Sequence, residues 1–396
     1  MKIGIVTEYY YPTLGGVQEH VHHFTVAARR LGHDVCIVTP TVEDSLASTS
    51  EGRRSAIDLR REDESFGVVR IGRSIPLVGG GSIARASVGH KLSSQLSAVL
   101  RAEHFDVLHL HSPLMPTLPL LALRLAESVT VGTFHSASGK GNPFYSIFRS
   151  ALQRYVDRMD VVVGVSDTAL EGPRAYFDAD YRIIPNGVDV AMFSAGKRRP
   201  EFDDGRLNVL HVGRFDPRNG VDRVVKAWIG VRRAGVDARL LLVGDGPLRR
   251  TYEAMVPPDL SHDAKFLGFV PSAERSSYYA SGDVLLCPAV GGTFGIILLE
   301  AMAAGCAIVA ADTPGFRHVM QNGVEGFMVD LAKDPTCTHL AGRVIDLLAD
   351  GQARRNCAAA GRRTAATFDW SAIAERVIGL YGELLGQDVA KKTALR

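Results

Sequence analysis

Residues 284–310 read VLLCPAVGGTFGIILLEAMAAGCAIVA. A short apolar run typical of a buried strand is followed by a glycine-rich loop, an apolar helical segment and a second strand-like run, which is the order of a parallel βαβ unit. The loop Gly291–Gly295 allows the backbone to approach a ligand closely, and Thr293 is a suitable cap for a helix whose first amides attract anions. Glu300 is surrounded by residues suited to burial, so its carboxylate needs a partner: the hydroxyls of a bound diol or an interdomain salt bridge.

The same alternation extends along the chain in two series. Strand-like apolar runs occupy residues 3–6, 35–38, 68–71, 107–110, 129–132 and 161–165 in the first series, and residues 207–212, 239–243, 265–269, 284–287 and 307–310 in the second. This pattern predicts two doubly wound α/β domains, each with a parallel sheet covered by helices on both faces. The polar segment Lys197–Gly205 predicts an exposed linker. We therefore expect Rossmann-like domains at residues 1–199 and 200–372, facing an interdomain cleft where ligands bind outside the carboxyl ends of the strands.

Composition restricts the class of protein. The 396 residues are 46% hydrophobic and 22% charged, with a formal net charge of +2, which is typical of a globular protein and argues against general nucleic-acid binding. The five cysteines include no Cys-x-x-Cys pair, so neither a disulfide framework nor a cysteine zinc site is expected. The first apolar run is too short for a signal peptide or a membrane-spanning helix. We expect a cytoplasmic protein whose contact with a membrane, if it has one, is peripheral and at the inner face.

Four short motifs follow one another along the chain: Gly15-Gly16-Val17, Pro185-Asn186-Gly187-Val188-Asp189, Gly213-Arg214-Phe215 and the helix that carries Glu300. Together they resemble the retaining, nucleotide-sugar-dependent glycosyltransferases of family four, which have the GT-B fold. The Gly-x-Gly-x-x-Gly fingerprint of nicotinamide-dependent dehydrogenases is absent after the first strand. Further motifs are similar to those of the phosphatidylinositol mannosyltransferases within that family, namely Gly16–Val21, Ser82–Arg85, Thr133–Ser136 with Lys140, and Phe368–Ser371.

The resemblance implies a site for a nucleotide sugar. Arg214 would neutralise the departing diphosphate, and Glu300 would hold the ribose hydroxyls. Arg218 is the donor-site cation that would compensate for Asn219, which stands where the family has a lysine. His135 would lie beside the transferred sugar and would be catalytic together with Arg214. The other donor-binding residues that the resemblance implies are the glycines beneath the diphosphate, the residues beside the base and the residues at the helix start: Gly15, Gly16, Phe269, Val270, Thr293, Phe294 and Gly295.

The resemblance also implies an acceptor site, formed by Tyr9, Gln18, Ser82, Arg85 and Lys140. The implied activity is transfer of a hexose, mannose from GDP-mannose, to a hydroxyl of a phosphatidylinositol-like lipid or of another glycan or lipid acceptor, with retention at the anomeric carbon. The partners are therefore a nucleoside diphosphate sugar, that acceptor and a membrane surface, but no nucleic acid. A C-terminal helix, residues 373–396, would pack back on the N-terminal domain.

Neither a cofactor nor an essential metal is expected, because the nucleotide sugar is a substrate and the departing diphosphate can be neutralised by side chains. His109 and His111 do share one face of a predicted strand through its two-residue periodicity, and paired histidines are common metal ligands. No third ligand is evident near them in the sequence. We therefore expect no metal at this position.

Two residues depart from the family pattern. Gly292 stands where the family has the first glutamate of a pair whose second member is Glu300, and Asn219 stands where it has a lysine. The first change removes an acceptor for sugar hydroxyls, and the second removes a cation beside the diphosphate. Residues 82–101, where the mannosyltransferases have a basic helix, also hold few cations. Two alternatives stay open: a weakly active or non-catalytic sugar- or nucleotide-binding relative, and a sugar phosphorylase of the same fold.

Overall fold

The computed structural model describes residues 1–11, 15–42, 66–79, 82–136 and 141–394. The chain divides into two compact units. The first comprises Met1–Asn186 together with Trp370–Arg396, and the second comprises Gly187–Asp369. Each unit is built on one sheet.

The described part of the first unit has an eight-stranded sheet, in the order β4-β3-β2-β1-β5-β6-β7-β8. The second unit has a six-stranded sheet, in the order β11-β10-β9-β12-β13-β14. In chain order the strands are β1 (Lys2–Val6), β2 (Asp34–Thr41), β3 (Val68–Gly79), β4 (Ser82–Val88), β5 (Val107–His111), β6 (Val129–Phe134), β7 (Val161–Gly164), β8 (Tyr181–Ile183), β9 (Leu207–Val212), β10 (Ala238–Val243), β11 (Ala264–Gly268), β12 (Val284–Cys287), β13 (Ala307–Ala311) and β14 (Gly326–Val329).

The helices lie mainly between successive strands. In chain order they are α1 (Gly16–Arg30), α2 (Leu92–Glu103), α3 (Leu118–Leu125), α4 (Pro143–Ile147), α5 (Arg149–Val156), α6 (Asp167–Tyr176), α7 (Val190–Ser194), α8 (Val221–Arg233), α9 (Arg249–Ala254), α10 (Ser272–Ser281), α11 (Ile296–Ala304), α12 (Thr338–Ala349), α13 (Gly351–Ala366) and α14 (Trp370–Ala394). Within the described ranges, no helix is both long enough and apolar enough to cross a membrane.

Both sheets are covered on their two faces, which explains why strands such as β7 and β13 are apolar and buried along their whole length. In the first sheet, Ile5 is buried with Phe24 of α1 and Tyr381 of α14. Leu108 belongs to a second buried cluster with Leu118 of α3. The C-terminal helix therefore belongs to the core of the first unit, and it begins at Trp370.

The parallel pairing expected for the first sheet does not extend to its β4 edge. Strands β3 and β4 are antiparallel, with Gly79 opposite Ser82 and Arg73 opposite Val88. Residues 82–88 form β4 rather than the start of a helix like that of the mannosyltransferases, and α2 begins only at Leu92. The seven residues of β4 alternate between small polar or charged and apolar types over much of their length, which suits an edge strand better than a helix.

The segment Lys197–Gly205 is largely exposed, as its polarity predicts, but it belongs to the second unit and is not a linker between the two units. Arg198 forms an ion pair with Asp283 at 3.0 Å, and Phe202 is buried. The first unit ends earlier than residue 199, at Asn186, because α7 already belongs to the second unit. Its Phe193 is buried and makes an edge contact with the Tyr279 ring at 5.4 Å between centroids.

Candidate functional site

In the second unit, the candidate donor residues surround the point where the strand order reverses. The chain runs outward from β9 to β11 and then returns to form β12 on the other side of β9. In open parallel sheets such a reversal leaves a crevice beyond the carboxyl ends of the two central strands. Arg214 follows β9 directly and is exposed, and no described residue forms a hydrogen bond or ion pair with its guanidinium. The structure thus places an uncommitted cation at the crevice.

Arg218 lies against the glycine-rich loop that follows β12. The Val290 amide donates to the Arg218 carbonyl oxygen at 3.0 Å, and the Arg218 side chain is 62% exposed with Asp216 at 3.8 Å. The Asn219 amide group donates to the carbonyl oxygen of Arg214 at 2.7 Å. Asn219 therefore stabilises the loop that carries Arg214, but it adds no charge in place of the family's lysine.

The helix after the glycine-rich loop begins at a different residue from the one expected. Gly295, not Thr293, is the cap of α11, and its φ of 104° lies in the left-handed region that favours glycine. The Phe294 side chain is 3% exposed and contacts the Phe368 ring at 5.9 Å between centroids. Phe294 therefore fixes the loop through its side chain, and its backbone is the part left to meet an anion.

The position of the family's missing acid is filled by an aromatic ring. A Cβ atom built on Gly292 would lie 2.8 Å from Cε1 of Phe316. The backbone of residue 315 also lies close to the loop, since a Cβ built on Gly315 would lie 2.0 Å from the Gly292 carbonyl oxygen. A side chain at residue 292 cannot be accommodated unless Phe316 moves. The substitution of glycine for glutamate is therefore coupled to the packing of Phe316.

Glu300 is buried and has protein partners. Its exposed fraction is 5%; the Tyr279 hydroxyl donates to Oε2 at 2.6 Å, and an Arg275 guanidinium nitrogen lies 3.3 Å from Oε1. Both of these partners lie on α10 of the same unit. Burial, followed by the charge of Glu300, raises the pKa of Tyr279 well above its ordinary value.

Phe269 and Val270 follow β11 at the edge of the second sheet. Gly268 ends the strand with a φ of 75°, and the next residue, Phe269, is 63% exposed. A large apolar ring this exposed is uncommon on a well-packed surface and suits stacking against a planar base. Val270 is partly exposed.

The first unit has the same kind of reversal, between β1 and β5. Tyr9 follows β1, and its hydroxyl oxygen accepts the Arg85 amide at 3.3 Å. The Arg85 guanidinium donates to Ser74 Oγ at 3.2 Å. Two of the predicted acceptor residues are therefore neighbours. Ser82 pairs with Gly79 in the β3–β4 ladder, whereas Lys140 lies outside the described residues.

A buried acid beside Tyr9 escaped the sequence analysis. Glu8 is fully buried and accepts three hydrogen bonds, from Thr117 Oγ1 at 2.6 Å, Ser87 Oγ at 2.7 Å and the Leu118 amide at 2.9 Å. Burial nevertheless raises its pKa. Thr117 holds a φ of 98°, which is rare for a branched residue and marks local strain. The positive φ of Thr117 cannot be predicted from residue type. The only sequence signal for this site is the position of Glu8 just after strand β1.

Gly15, Gly16 and Gln18 form the entry to α1. Gly16 is the first helical residue, and Gly15 precedes it in extended backbone with a φ of 164°. A Cβ on Gly15 would lie 2.9 Å from Oε1 of Gln18, which is the movable end of a side chain. Gln18 itself is 4% exposed. The conformation of Gly15 thus allows other residues, and any need for glycine there comes from a ligand or from Gln18.

His135 follows β6 and belongs to a cluster of histidines in the first unit. Its Nε2 lies 2.7 Å from Nδ1 of His111. The His20 ring meets both rings edge-on, with centroids 5.2 Å from His111 and 4.8 Å from His135. No third ligand near His109 and His111 was expected from the sequence, and this expectation was wrong, because α1 and the loop after β6 bring His20 and His135 beside His111.

Burial keeps these imidazoles neutral. It lowers the pKa of His20 to about 4 and that of His109 to about 3, and it lowers the pKa of His111 and His135 well below the ordinary value, with smaller contributions from neighbouring histidines. A neutral imidazole can accept a proton or a metal ion through one nitrogen and donate through the other.

Comparison with known proteins identifies the class of enzyme. The chain matches the family models described as "Glycosyltransferase Family 4" over residues 14–192 and "Glycosyl transferases group 1" over residues 206–350. A phosphatidyl-myo-inositol mannosyltransferase of Mycolicibacterium smegmatis is 32% identical over 391 residues, which are 98% of this chain and 95% of the relative. A GDP-mannose-dependent alpha-mannosyltransferase of the same organism is 27% identical, with 98% of each chain covered. The chain therefore belongs to the family four glycosyltransferases.

Solved structures agree on the fold. A glycosyltransferase from Rickettsia africae superimposes with a TM-score of 0.73 at 17% identity, covering 97% of this chain and 98% of that one. At this identity the likeness shows the fold alone. The predicted GT-B class, with two Rossmann-like units built on largely parallel sheets, is confirmed, and so is the prediction of a hexosyltransferase.

Proposed function

We propose that this protein transfers mannose from GDP-mannose to a hydroxyl of a phosphatidylinositol-like lipid, with retention at the anomeric carbon. Relatives that match nearly the whole chain carry the names phosphatidyl-myo-inositol mannosyltransferase and GDP-mannose-dependent alpha-mannosyltransferase. The sugar, nucleotide and acceptor of the proposal follow from these names. The residues described above supply the chemistry.

The observation that carries the proposal is the uncommitted guanidinium of Arg214 at the crevice of the second sheet, with Arg218 beside the glycine-rich loop. A diphosphate that leaves a sugar gains negative charge in the transition state. Preorganised cations and helix amides stabilise such charge without reorganising during the reaction. Arg214, Arg218 and the amides at the start of α11 are the groups of the second unit that we assign to this task.

Retention is explained by displacement on one face of the sugar. The bond from the anomeric carbon to the diphosphate oxygen breaks, the bond to the acceptor oxygen forms on the same face, and the departing phosphate oxygen takes the proton of the acceptor hydroxyl. No protein nucleophile is needed. Arg214 stabilises the leaving group, and His135, whose imidazole is neutral, orients the sugar by hydrogen bonding.

The acceptor site of the proposal lies at the β1–β5 reversal. Tyr9 offers a half-buried hydroxyl, and Arg85 offers a cation for a phosphate. Gln18 and Ser82 are assigned to the same site, together with Lys140. A lipid acceptor would bring the protein to the inner face of the membrane as a peripheral protein. Basic residues near such a surface each contribute about 1 kcal/mol.

Calorimetric titration with GDP, UDP and ADP tests the donor assignment. We expect GDP to bind most tightly, with or without magnesium. Arg214→Ala should weaken GDP binding about 10- to 100-fold, because a charge-assisted hydrogen bond contributes roughly 1.5–3 kcal/mol. Arg363→Ala, an exposed arginine of α13, is the matched control and should bind like the unaltered protein. Equal affinity for the three nucleotides, or an Arg214→Ala variant that binds GDP normally, would contradict the assignment.

One observation favours a second candidate, a nucleotide-binding protein with little or no transfer activity. Phe316 occupies the space that the family's first glutamate would need. Loss of that acid removes a contact with the sugar and leaves the nucleotide contacts intact. This candidate predicts that GDP binds while GDP-mannose is not consumed in the presence of any acceptor. Turnover of GDP-mannose would exclude it.

A further inference from the structure

The histidine cluster of the first unit contains a buried polar atom with no partner. His111 is fully buried, and its Nε2 has no hydrogen-bond partner among the described residues. Leaving such a buried group unpaired is energetically costly. The neighbouring His109 is different, since Tyr381 and Thr133 contact its two nitrogens at 2.5 Å and 2.6 Å. Both nitrogens of His109 therefore have hydrogen-bond partners in the core, whereas Nε2 of His111 has none among the described residues.

Hydrogen bonding orients the nitrogens of the three other rings. Nδ1 of His20 lies 2.8 Å from Oδ1 of Asn186, which can only accept, so Nδ1 carries the proton and Nε2 keeps its lone pair. Between His111 Nδ1 and His135 Nε2, at 2.7 Å, one proton is shared. When His111 carries that proton, its shift from Nδ1 to the unpartnered Nε2 of the same ring leaves lone pairs on both facing nitrogens and charges neither ring.

The three rings also meet the spatial requirement for one ion. One nitrogen of each of His20, His111 and His135 lies within 4.8 Å of the others. Ligand nitrogens around a tetrahedral zinc ion, at about 2.0–2.1 Å from it, are roughly 3.3 Å apart. Small ring rotations therefore bring the cluster to that geometry.

We propose that His20, His111 and His135 form a binding site for a transition-metal ion of the zinc class. Three imidazoles suit zinc, and a water molecule would complete the tetrahedron. The hydrogen bond from His20 to Asn186 is the outer contact that metal-bound histidines characteristically make, and it fixes the nitrogen turned to the ion.

The site has a consequence for catalysis that rests on the proposed function. His135 would serve both the ion and the transferred sugar. A bound ion would occupy a nitrogen of His135 and hold its ring, so we expect zinc to inhibit sugar transfer. Binding of nucleotide to the second unit should be unaffected.

Cobalt is the probe for the site because tetrahedral cobalt has visible absorption bands. Full-length protein freed of metal with a chelator is titrated with Co²⁺ and then with Zn²⁺. We expect a tetrahedral spectrum that saturates at one equivalent and is displaced by zinc. His111→Gln and His20→Gln should each weaken binding by more than the roughly 10- to 100-fold that is typical of outer-contact changes, and Asn186→Ala should weaken it by about that amount.

His23→Gln is the matched control, because His23 lies on α1 outside the cluster and pairs with Glu19. It should keep the full cobalt spectrum. Circular dichroism checks folding, and His20→Gln decides the matter if His111→Gln does not fold. No saturable spectrum in the unaltered protein, or a spectrum that both ligand variants retain, would overturn the site. Nucleotide titration of the metal-free protein separates the two ideas: metal binding without GDP binding would count against the function and leave the site standing.

Discussion

Gly292 and Phe316 show how one residue can alter a site through the space it leaves. The family's acid is absent at residue 292, and the Phe316 ring lies where a Cβ would be, at 2.8 Å. Restoring glutamate there therefore requires Phe316 to move. A Gly292→Glu variant that gains no activity is therefore uninformative about the loop while Phe316 is retained. The informative variant combines Gly292→Glu with a smaller residue at position 316.

Substitution by alanine measures this coupling. Gly292→Ala should lower the free energy of unfolding of the second unit by about 1–3 kcal/mol, the usual cost of overpacking. Gly291→Ala is the matched control, since its Cβ would meet Arg218 only at 3.8 Å, and it should change stability by less than about 1 kcal/mol. Urea unfolding of both variants decides, and equal stability of the two would show that Phe316 yields freely.

At the scale of elements, α10 and α11 are joined by a buried acid. Glu300 of α11 accepts from Tyr279 and pairs with Arg275, both on α10. A buried carboxylate that loses a hydrogen-bond donor destabilises the fold, because water does not replace the donor. Removal of a hydroxyl that makes no hydrogen bond to the protein changes the stability little. The contacts of Glu300 with Tyr279 and Arg275 therefore hold α11 against α10.

Removing single hydroxyl groups tests this role. Tyr279→Phe should destabilise the protein by about 1–3 kcal/mol, because Oε2 of Glu300 loses its donor. Tyr278→Phe is the control on the same helix; the described residues give its hydroxyl no hydrogen bond, and we expect a change below about 0.5 kcal/mol. Thermal unfolding is the measurement. A Tyr279→Phe variant as stable as Tyr278→Phe would mean that Glu300 is satisfied without α10.

Elements with a strong local pattern were predictable from the sequence. The run from β12 through α11 to β13 follows the expected order, because a buried parallel strand and an apolar helix each have a distinctive length and composition. Strand β4 was missed, since its alternation of polar and apolar residues is short and is interrupted at Ile83–Ala84, and residue type does not show its pairing with β3. The start of α11 was misjudged because backbone φ at Gly295 is not visible in residue type.

At the scale of the whole molecule, both sheets place candidate site residues where the strand order reverses. Arg214 lies at the reversal of the second sheet and Tyr9 at that of the first. These positions were predictable, because residues that directly follow parallel strands meet at one edge of the sheet. The histidine cluster was not, because His20, His111 and His135 come from three elements far apart in the sequence and no local spacing connects them.

The central claim is that this family four glycosyltransferase moves mannose from GDP-mannose to phosphatidylinositol. The most direct measurement supplies radiolabelled GDP-mannose to the purified protein with vesicles containing phosphatidylinositol and follows label in the lipid. We predict labelled lipid, an about 100- to 1,000-fold lower rate for Arg214→Ala and an unchanged rate for Arg363→Ala. Absence of labelled lipid while the protein binds GDP, or an Arg214→Ala variant as fast as the unaltered protein, would contradict the claim.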